Sequence, residues 1–334
     1  MTSIILLIGV LIGGCKTTDD EQRIFENNHV THMDKNFFEF AKMRFFGEEE
    51  WADPSEQADL VPVTNIDIEQ INNPGDKLQV SWLGHSTFLI QYQGINILTD
   101  PVFSDRASPV SFAGPKRYTE VALNIDALPD IDYVVISHNH YDHLDTESIK
   151  ALNKNVKFLV PEAMQALFED LGVASEKISE LPWWQQANYQ GVTFTATPSQ
   201  HWSARSLFDR NTVHWASWAI TIGDRKVWFA GDTGYNPHDF KDIGKRFGGF
   251  DLALIPIGAY APRSFMKLYH VNVDEAVEIH KDIQSDFSVG MHWGTFPLTA
   301  EPVMEPKQWL EKKQGVLDAP FVTMEIGGTI FLQQ

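Results

Sequence analysis

Residues 138–143 read His138-Asn139-His140-Tyr141-Asp142-His143, three histidines and one aspartate in six positions. They directly follow Val134-Val135-Ile136-Ser137, a short apolar strand by its pattern. Ionisable groups this dense at the end of a buried strand stay uncompensated unless a cation holds them. The segment therefore limits the chain to folds in which a strand rim can assemble a metal site.

Three other strands end the same way. Val192 to Thr197 leads through Pro198-Ser199-Gln200 to His201, Val227 to Gly231 leads to Asp232, and Phe287 to Met291 leads to His292. Each is ordinary when taken singly. A histidine after a strand commonly caps or hydrogen-bonds, and Asp232 in Gly231-Asp232-Thr233-Gly234 would be a turn residue. Beside the cluster they change meaning, because the C-terminal ends of buried strands line up along one rim of a sheet. Five histidines and two carboxylates suit a pair of divalent ions. With no cysteine in the set, zinc is favoured, and iron or manganese stays open.

The rest of the pattern supplies the frame. Leu78 to Leu83, Ser86 to Tyr92 and Ile95 to Thr99 read as a strand meander with a tight turn at Gln93-Gly94. Strands are also expected at Tyr133 to Ser137, Val192 to Ala196, His214 to Ile222, Lys226 to Ala230, Leu252 to Ile257 and Ser288 to Met291. Helices are expected over Thr146 to Leu152, Glu162 to Leu171 and Val273 to Ile283, the last with Asn272 as N-cap. Phe321 to Met324 and Thr329 to Leu332 read as a hairpin around Gly327-Gly328. Strands and helices mix throughout without an internal repeat, so one α/β domain over 76–334 is expected, with helices outside packed sheets.

Before it, residues 16–75 read as a tether and arm. An aromatic segment from Lys35 to Phe46 at helical spacing either packs on the body or dips into lipid. Residues 1–15 carry a short apolar run, Ile4 to Ile12, ending in Gly13-Gly14-Cys15. That is too short to span a bilayer. It resembles a bacterial lipoprotein signal with Cys15 as the lipidated residue, an ordinary secretory signal being the alternative; Met1-Thr2-Ser3 lacks the usual basic residues. Lys16 after the cysteine suits periplasmic outer-membrane sorting.

Charge narrows the partners. With 26 basic and 45 acidic residues the formal net charge is −19, which disfavours nucleic acid. It does not exclude a phosphate ester, because bound cations dominate their own surroundings.

Longer strings around these positions, "SWLGHSTFLI", "LTDPVFSDRASPVSFAGPKRY", "ISHNHYDHLD", "PSQHW", "FAGDTGY", "HVNVDEAV" and "HWGTF", occur in this order over residues 78–300. They resemble the N-acylphosphatidylethanolamine-hydrolysing phospholipase D family of the metallo-β-lactamase superfamily. The resemblance implies an αβ/βα four-layer sandwich, two mixed β-sheets flanked by helices. It implies that His138, His140 and His201 bind one ion, that Asp142, His143 and His292 bind the other, and that Asp232 bridges them. Two zinc ions would then activate a bridging water against the phosphodiester of an N-acylated phospholipid at a membrane surface. Asp142 and His270 carry over as catalytic residues, and Tyr141 and His270 as substrate contacts. His85 and Asp145 are expected behind the ligands, Asp145 orienting a ligand histidine. Trp183, Trp184, Trp202, Trp215 and Trp218 are candidates for an acyl groove or for core. A lactonase or small-ester phosphodiesterase on the same scaffold is the alternative, a silent binding lipoprotein a third reading, and a homodimer stays open.

Overall fold

Strands β1 (Leu78–Gly84) and β2 (Thr87–Tyr92) are buried along their whole length. Strands covered on both faces are mostly apolar, and here the buried polar Gln79 and Gln91 pair with each other at 2.9 Å, so both faces of these strands are packed. The computed structural model describes residues 23–31, 39, 42, 44, 46, 47, 51, 53–152 and 155–332. It contains two mixed sheets of seven strands each.

The first sheet adds β3 (Ile95–Thr99), β4 (Tyr133–Val135), β5 (Lys157–Pro161), β6 (Ile178–Leu181) and β14 (Thr329–Leu332), in the order β14-β1-β2-β3-β4-β5-β6. The second contains β7 (Gln186–Tyr189), β8 (Val192–Thr197), β9 (Ser217–Ile222), β10 (Arg225–Phe229), β11 (Leu252–Pro256), β12 (Ser288–Met291) and β13 (Phe321–Thr323), in the order β13-β12-β11-β10-β9-β8-β7. Each sheet begins antiparallel and turns parallel, at β3–β4 in one and β10–β11 in the other. The two sheets therefore repeat one topology that the sequence does not display. In that repeat β1 corresponds to β8 and β3 to β10. His85, just after β1, thus corresponds to His201, and Asp100, just after β3, to Asp232.

One core cluster joins inner faces of both sheets, including Trp82, Phe88, Phe194, Trp218 and Trp228. A second lies under the helix Thr146–Leu152 and includes Leu98, Val134, Ile149 and Phe158. The helix Val273–Asp282 has the expected N-cap, Asn272, whose side chain accepts from Glu275 N while Glu275 reaches back, a capping box.

Several expectations change. β13 and β14 do not form a hairpin: β13 pairs parallel with β12 and β14 pairs antiparallel with β1. Between them Ile326 N donates to Pro62 O and Gly327 N to Trp82 O, carrying the chain from one sheet to the other. Alternation identifies a strand but not its partner. The helix expected from Glu162 is Gln165–Asp170, and the strand expected from His214 begins at Ser217. The aromatic segment lies largely outside the described residues, where Glu39, Lys42, Arg44 and Phe46 are helical. Residues 1–22, including Cys15, also lie outside them. Among the described residues no helix is long and apolar enough to cross a membrane.

Candidate metal centre

The ends of β4, β8, β10 and β12 deliver the seven expected ligands, and the ends of β1 and β3 add His85 and Asp100. The backbone turns sharply there, with φ of +53° at His85, +31° at Asp100 and +62° at His292. Side chains that would otherwise continue the pleat are aimed at one point by these turns. Gly231, at φ +58°, leaves no room for a side chain, since a Cβ would lie 2.4 Å from that of Ser137.

All seven expected residues converge. His138 Nε2 and His140 Nδ1 are 2.9 Å apart, and His201 Nε2 is 3.3 Å from the same His140 nitrogen. On the other side, His143 Nε2 and His292 Nε2 lie 3.5 and 3.4 Å from Asp142 Oδ2. Asp232 stands between the two groups. Its Oδ2 is 3.9 Å from His138, 3.8 Å from His201 and 3.2 Å from His143, and its Oδ1 is 3.0 Å from His292.

These atoms face one another without bonding properly. His143 Nε2, both ring nitrogens of His292 and Asp232 Oδ1 are buried and make no hydrogen bond. Buried polar atoms are rarely left so. Ligand nitrogens and oxygens gathered within 4.8 Å of one another form sets of three and four that suit a divalent ion. The residues fit metal.

Charge agrees. Burial lowers the pKa of His138 and His201, and that of His140 to about 3, leaving three neutral imidazoles with lone pairs available. Burial opposes charge on His143 and His292 too, but there Asp232 and Asp142 prevail. His143 is held well above the ordinary range and His292 at about 9. Burial likewise opposes ionisation of Asp142 and Asp232, but the adjacent His143 and His292 keep both well below the carboxylate range. The carboxylates demand positive charge at this point, and protons supply it where a metal is absent.

A second layer fixes the histidines. His143 Nδ1 meets Asp100 Oδ2 at 2.6 Å, His138 Nδ1 meets Ser137 Oγ at 2.9 Å, and His201 Nδ1 meets Tyr269 O at 3.0 Å. Indole N–H groups pin the backbone behind: Trp82 to His85 O, Trp218 to Ile136 O and Trp215 to Ser199 O, each at 2.9 Å.

A model of the beta-lactamase superfamily domain matches residues 95–293. The N-acyl-phosphatidylethanolamine-hydrolyzing phospholipase D 1 of Caenorhabditis elegans is 41% identical over 282 residues, covering 80% of this chain and 79% of that one. The chain belongs to the metallo-β-lactamase superfamily, in this phospholipase D family. The mitochondrial N-acyl-phosphatidylethanolamine-hydrolyzing phospholipase D of Saccharomyces cerevisiae is 40% identical over 72% of this chain and 53% of its own length. A solved metallo hydrolase from the archaeon Ignicoccus hospitalis shares the fold, with TM-score 0.56 and 25% identity over 77% of this chain and 99% of that one. Membership makes the protein a metal-dependent hydrolase, and these clusters are its candidate groups for a divalent metal.

The other expected positions in this phospholipase D-family hydrolase divide. His85 Nε2 lies 3.1 Å from Asp142 Oδ2, among the metal-capable group itself. Asp145 does not orient a ligand histidine. It accepts from Phe103 N, Ser104 N, Ser104 Oγ and Ser148 Oγ, tying the 103–104 loop to the helix that follows the cluster. The orienting carboxylate is Asp100, whose signal, an acid directly after the apolar strand Ile95 to Thr99, repeats the pattern that marks the ligands. His270 Nδ1 is 3.8 Å from Asp232 Oδ2, and its ring meets His201 edge-on at 5.1 Å. It does not cap the next helix, because Asn272 does. Burial lowers its pKa to about 4, so it is neutral. Tyr141 is half-buried and its hydroxyl donates to Arg205 O at 2.7 Å, under the Arg205 guanidinium. Trp215 and Trp218 are core. Trp202 stands against His140 at 4.2 Å, whereas Trp183 packs on His214 and Trp184 lies under Arg246.

Proposed function

We propose that the protein is a dinuclear zinc phosphodiesterase of the phospholipase D type, which hydrolyses N-acylphosphatidylethanolamine to phosphatidic acid and an N-acylethanolamine. The convergence of six other expected ligands around Asp232 supports the two-ion part of this reading, and the 41% identical relative supports the substrate. His138, His140 and His201 would hold one ion, Asp142, His143 and His292 the second, and Asp232 both. Bound there, the ions would acidify a water and neutralise charge on the phosphoryl oxygens. Hydrolysis would join a water oxygen to phosphorus and break the bond from phosphorus to the ethanolamine oxygen, which would leave with a proton from that water.

The chain's own groups position this step. Neutral His270 has a ring nitrogen without a hydrogen-bond partner, 3.8 Å from Asp232, and can donate to a phosphoryl oxygen. Tyr141, on the metal loop, fixes the 203–212 loop and borders the substrate. Lipidation at Cys15 would keep the enzyme on the periplasmic side of the outer membrane, where its substrate is concentrated.

A substrate panel tests the reading. Purified protein is offered N-acylphosphatidylethanolamine, phosphatidylethanolamine, a lactone and a soluble phosphodiester. Release of phosphatidic acid and N-acylethanolamine is expected, and turnover of the lactone alone contradicts it.

A further inference from the structure

Among the described residues ten large hydrophobic side chains are exposed, and four of them sit on two loops flanking the metal centre. The first loop, residues 106–117, carries Val110 and Phe112 at its tip, with Phe112 82% exposed. Its base is fixed on the His292 side: Ala107 packs with Phe296, whose ring faces His85 at 5.3 Å, and Tyr118 N donates to Thr295 O. The second loop, residues 203–212, carries Leu207 and Phe208, 64% and 89% exposed. Its base is fixed on the His140 side, where Arg205 Nη1 donates to Asn139 O at 2.7 Å and to Leu144 O at 2.9 Å.

Neither loop is free to fold its tip inward. Ala107 N to Pro115 O and Arg117 N to Asp105 O close the neck of the first. Asn211 N to Ser203 O closes the second, where Asp209 also accepts from Arg205 N and Ser206 N. The rings are therefore held in water by structured backbone, a state that burial elsewhere would relieve.

We propose that the two tips are lipid-inserting elements that seat the metal centre on a bilayer surface. Three observations select lipid as the occupant. Residues 107–115 and 206–208 contain no charged side chain, so the tips can enter acyl chains without desolvating an ion. Four side chains on two separate tips fall far short of the roughly 20–30 residues a side of a stable protein interface. The N-terminal chain also runs to this place: Phe25 N donates to Asn211 O, at the neck of the second loop, and Phe25 packs on His214. Cys15 lies only eight residues before Arg23, a reach of about 28 Å at most. A lipid on Cys15 and the Phe208 tip can therefore meet one surface. Because the chain carries −19, insertion rather than charge attraction drives contact, and salt should not weaken it. The proposal rests on the lipid-substrate reading for its purpose, not for its test.

Cys15 is the only cysteine, so full-length Cys15→Ser offers a background for single labels. In it, Phe112→Cys, Phe208→Cys and Phe331→Cys each receive a polarity-sensitive fluorophore. Phe331 is a control, because it borders Asp251 and Asp286 at the opposite ends of β11 and β12. Each protein is mixed with pure phosphatidylcholine vesicles in low and high salt. A blue shift at 112 and 208 but not at 331, unchanged by salt, is expected. In unlabelled Cys15→Ser protein, Phe112→Ser and Phe208→Ser should each weaken vesicle partitioning about tenfold with metal content unchanged. No shift at the two tips, or an equal shift at 331, overturns the proposal. So does a double serine variant that changes oligomeric state and leaves partitioning intact, since the tips would then join two copies. The vesicles contain no N-acylated substrate, so failure to turn that lipid over would not be mistaken for failure to dock.

Discussion

The side-chain amide of Asn27 and the backbone of His201 hold each other by two hydrogen bonds: Asn27 Nδ2 donates to His201 O at 2.9 Å, and His201 N donates to Asn27 Oδ1 at 3.0 Å. The N-terminal arm thereby sets the main chain of a ligand lying 174 residues away. Asn28 and His29 extend the contact to Asp239, Asn28 through a 2.9 Å hydrogen bond. Asn27→Ala should cost about 1–3 kcal/mol of stability, the sum of two such bonds, and lower metal occupancy. Thermal unfolding with and without a chelator measures both; an unchanged midpoint and full occupancy would count against the clamp.

Asp100 accepts from His143 and from Ser137, and fixes which nitrogen of His143 faces the site. Asp100→Asn keeps the shape but removes the charge. It should weaken metal binding about 10–100-fold, read by competition with a chromophoric chelator. Asp145→Asn, which alters only the 103–104 loop contacts, should leave that affinity within a few-fold.

Without metal the site holds protons among the same side chains that would bind it. His292, raised to about 9, is protonated in the folded chain at neutral pH and largely neutral in the unfolded one. Its contribution to the metal-free protein is therefore complete below about pH 6.5 and lost as pH rises through about 9. Metal must displace the proton, so metal affinity should rise over the same window, with proton release visible by calorimetry in buffers of different ionisation enthalpy. A pH-independent affinity between 6.5 and 9 would contradict the assignment.

Gly258 lies against the ligand backbone, where an added Cβ would sit 2.2 Å from His292 O. Neither partner is a flexible side chain. Gly258→Ala should destabilise the protein by about 1–3 kcal/mol and displace His292, lowering metal occupancy, as denaturant melts and metal analysis would show.

His270→Ala removes a donor facing Asp232; His270 groups with His201 and Asp232 but is none of the seven expected ligands. Metal content should stay whole while kcat falls about 10²-fold. An unchanged rate on the lipid would remove His270 from the mechanism.

The six-residue cluster at His138 was legible because its members are neighbours in sequence and their burial without a cation makes no physical sense. His201, Asp232 and His292 were legible only through it. Asp100 went unassigned because one acid after a strand resembles a turn residue, and Asp145 drew that role by nearness to the cluster rather than by topology. The repeated sheet order, which makes Asp100 the counterpart of Asp232 and His85 that of His201, lies in strand pairing and not in residue pattern. The β13–β14 hairpin failed for the same reason. Asn27 carried no signal at all, since a lone asparagine in an arm gains meaning only where the chain returns to it.

Metal analysis of purified protein, beside Asp232→Ala, tests the central claim most directly. Two zinc equivalents per chain in the native protein, falling to one or fewer with loss of turnover in the variant, are predicted. One ion or fewer per native chain with full activity would contradict the two-ion site.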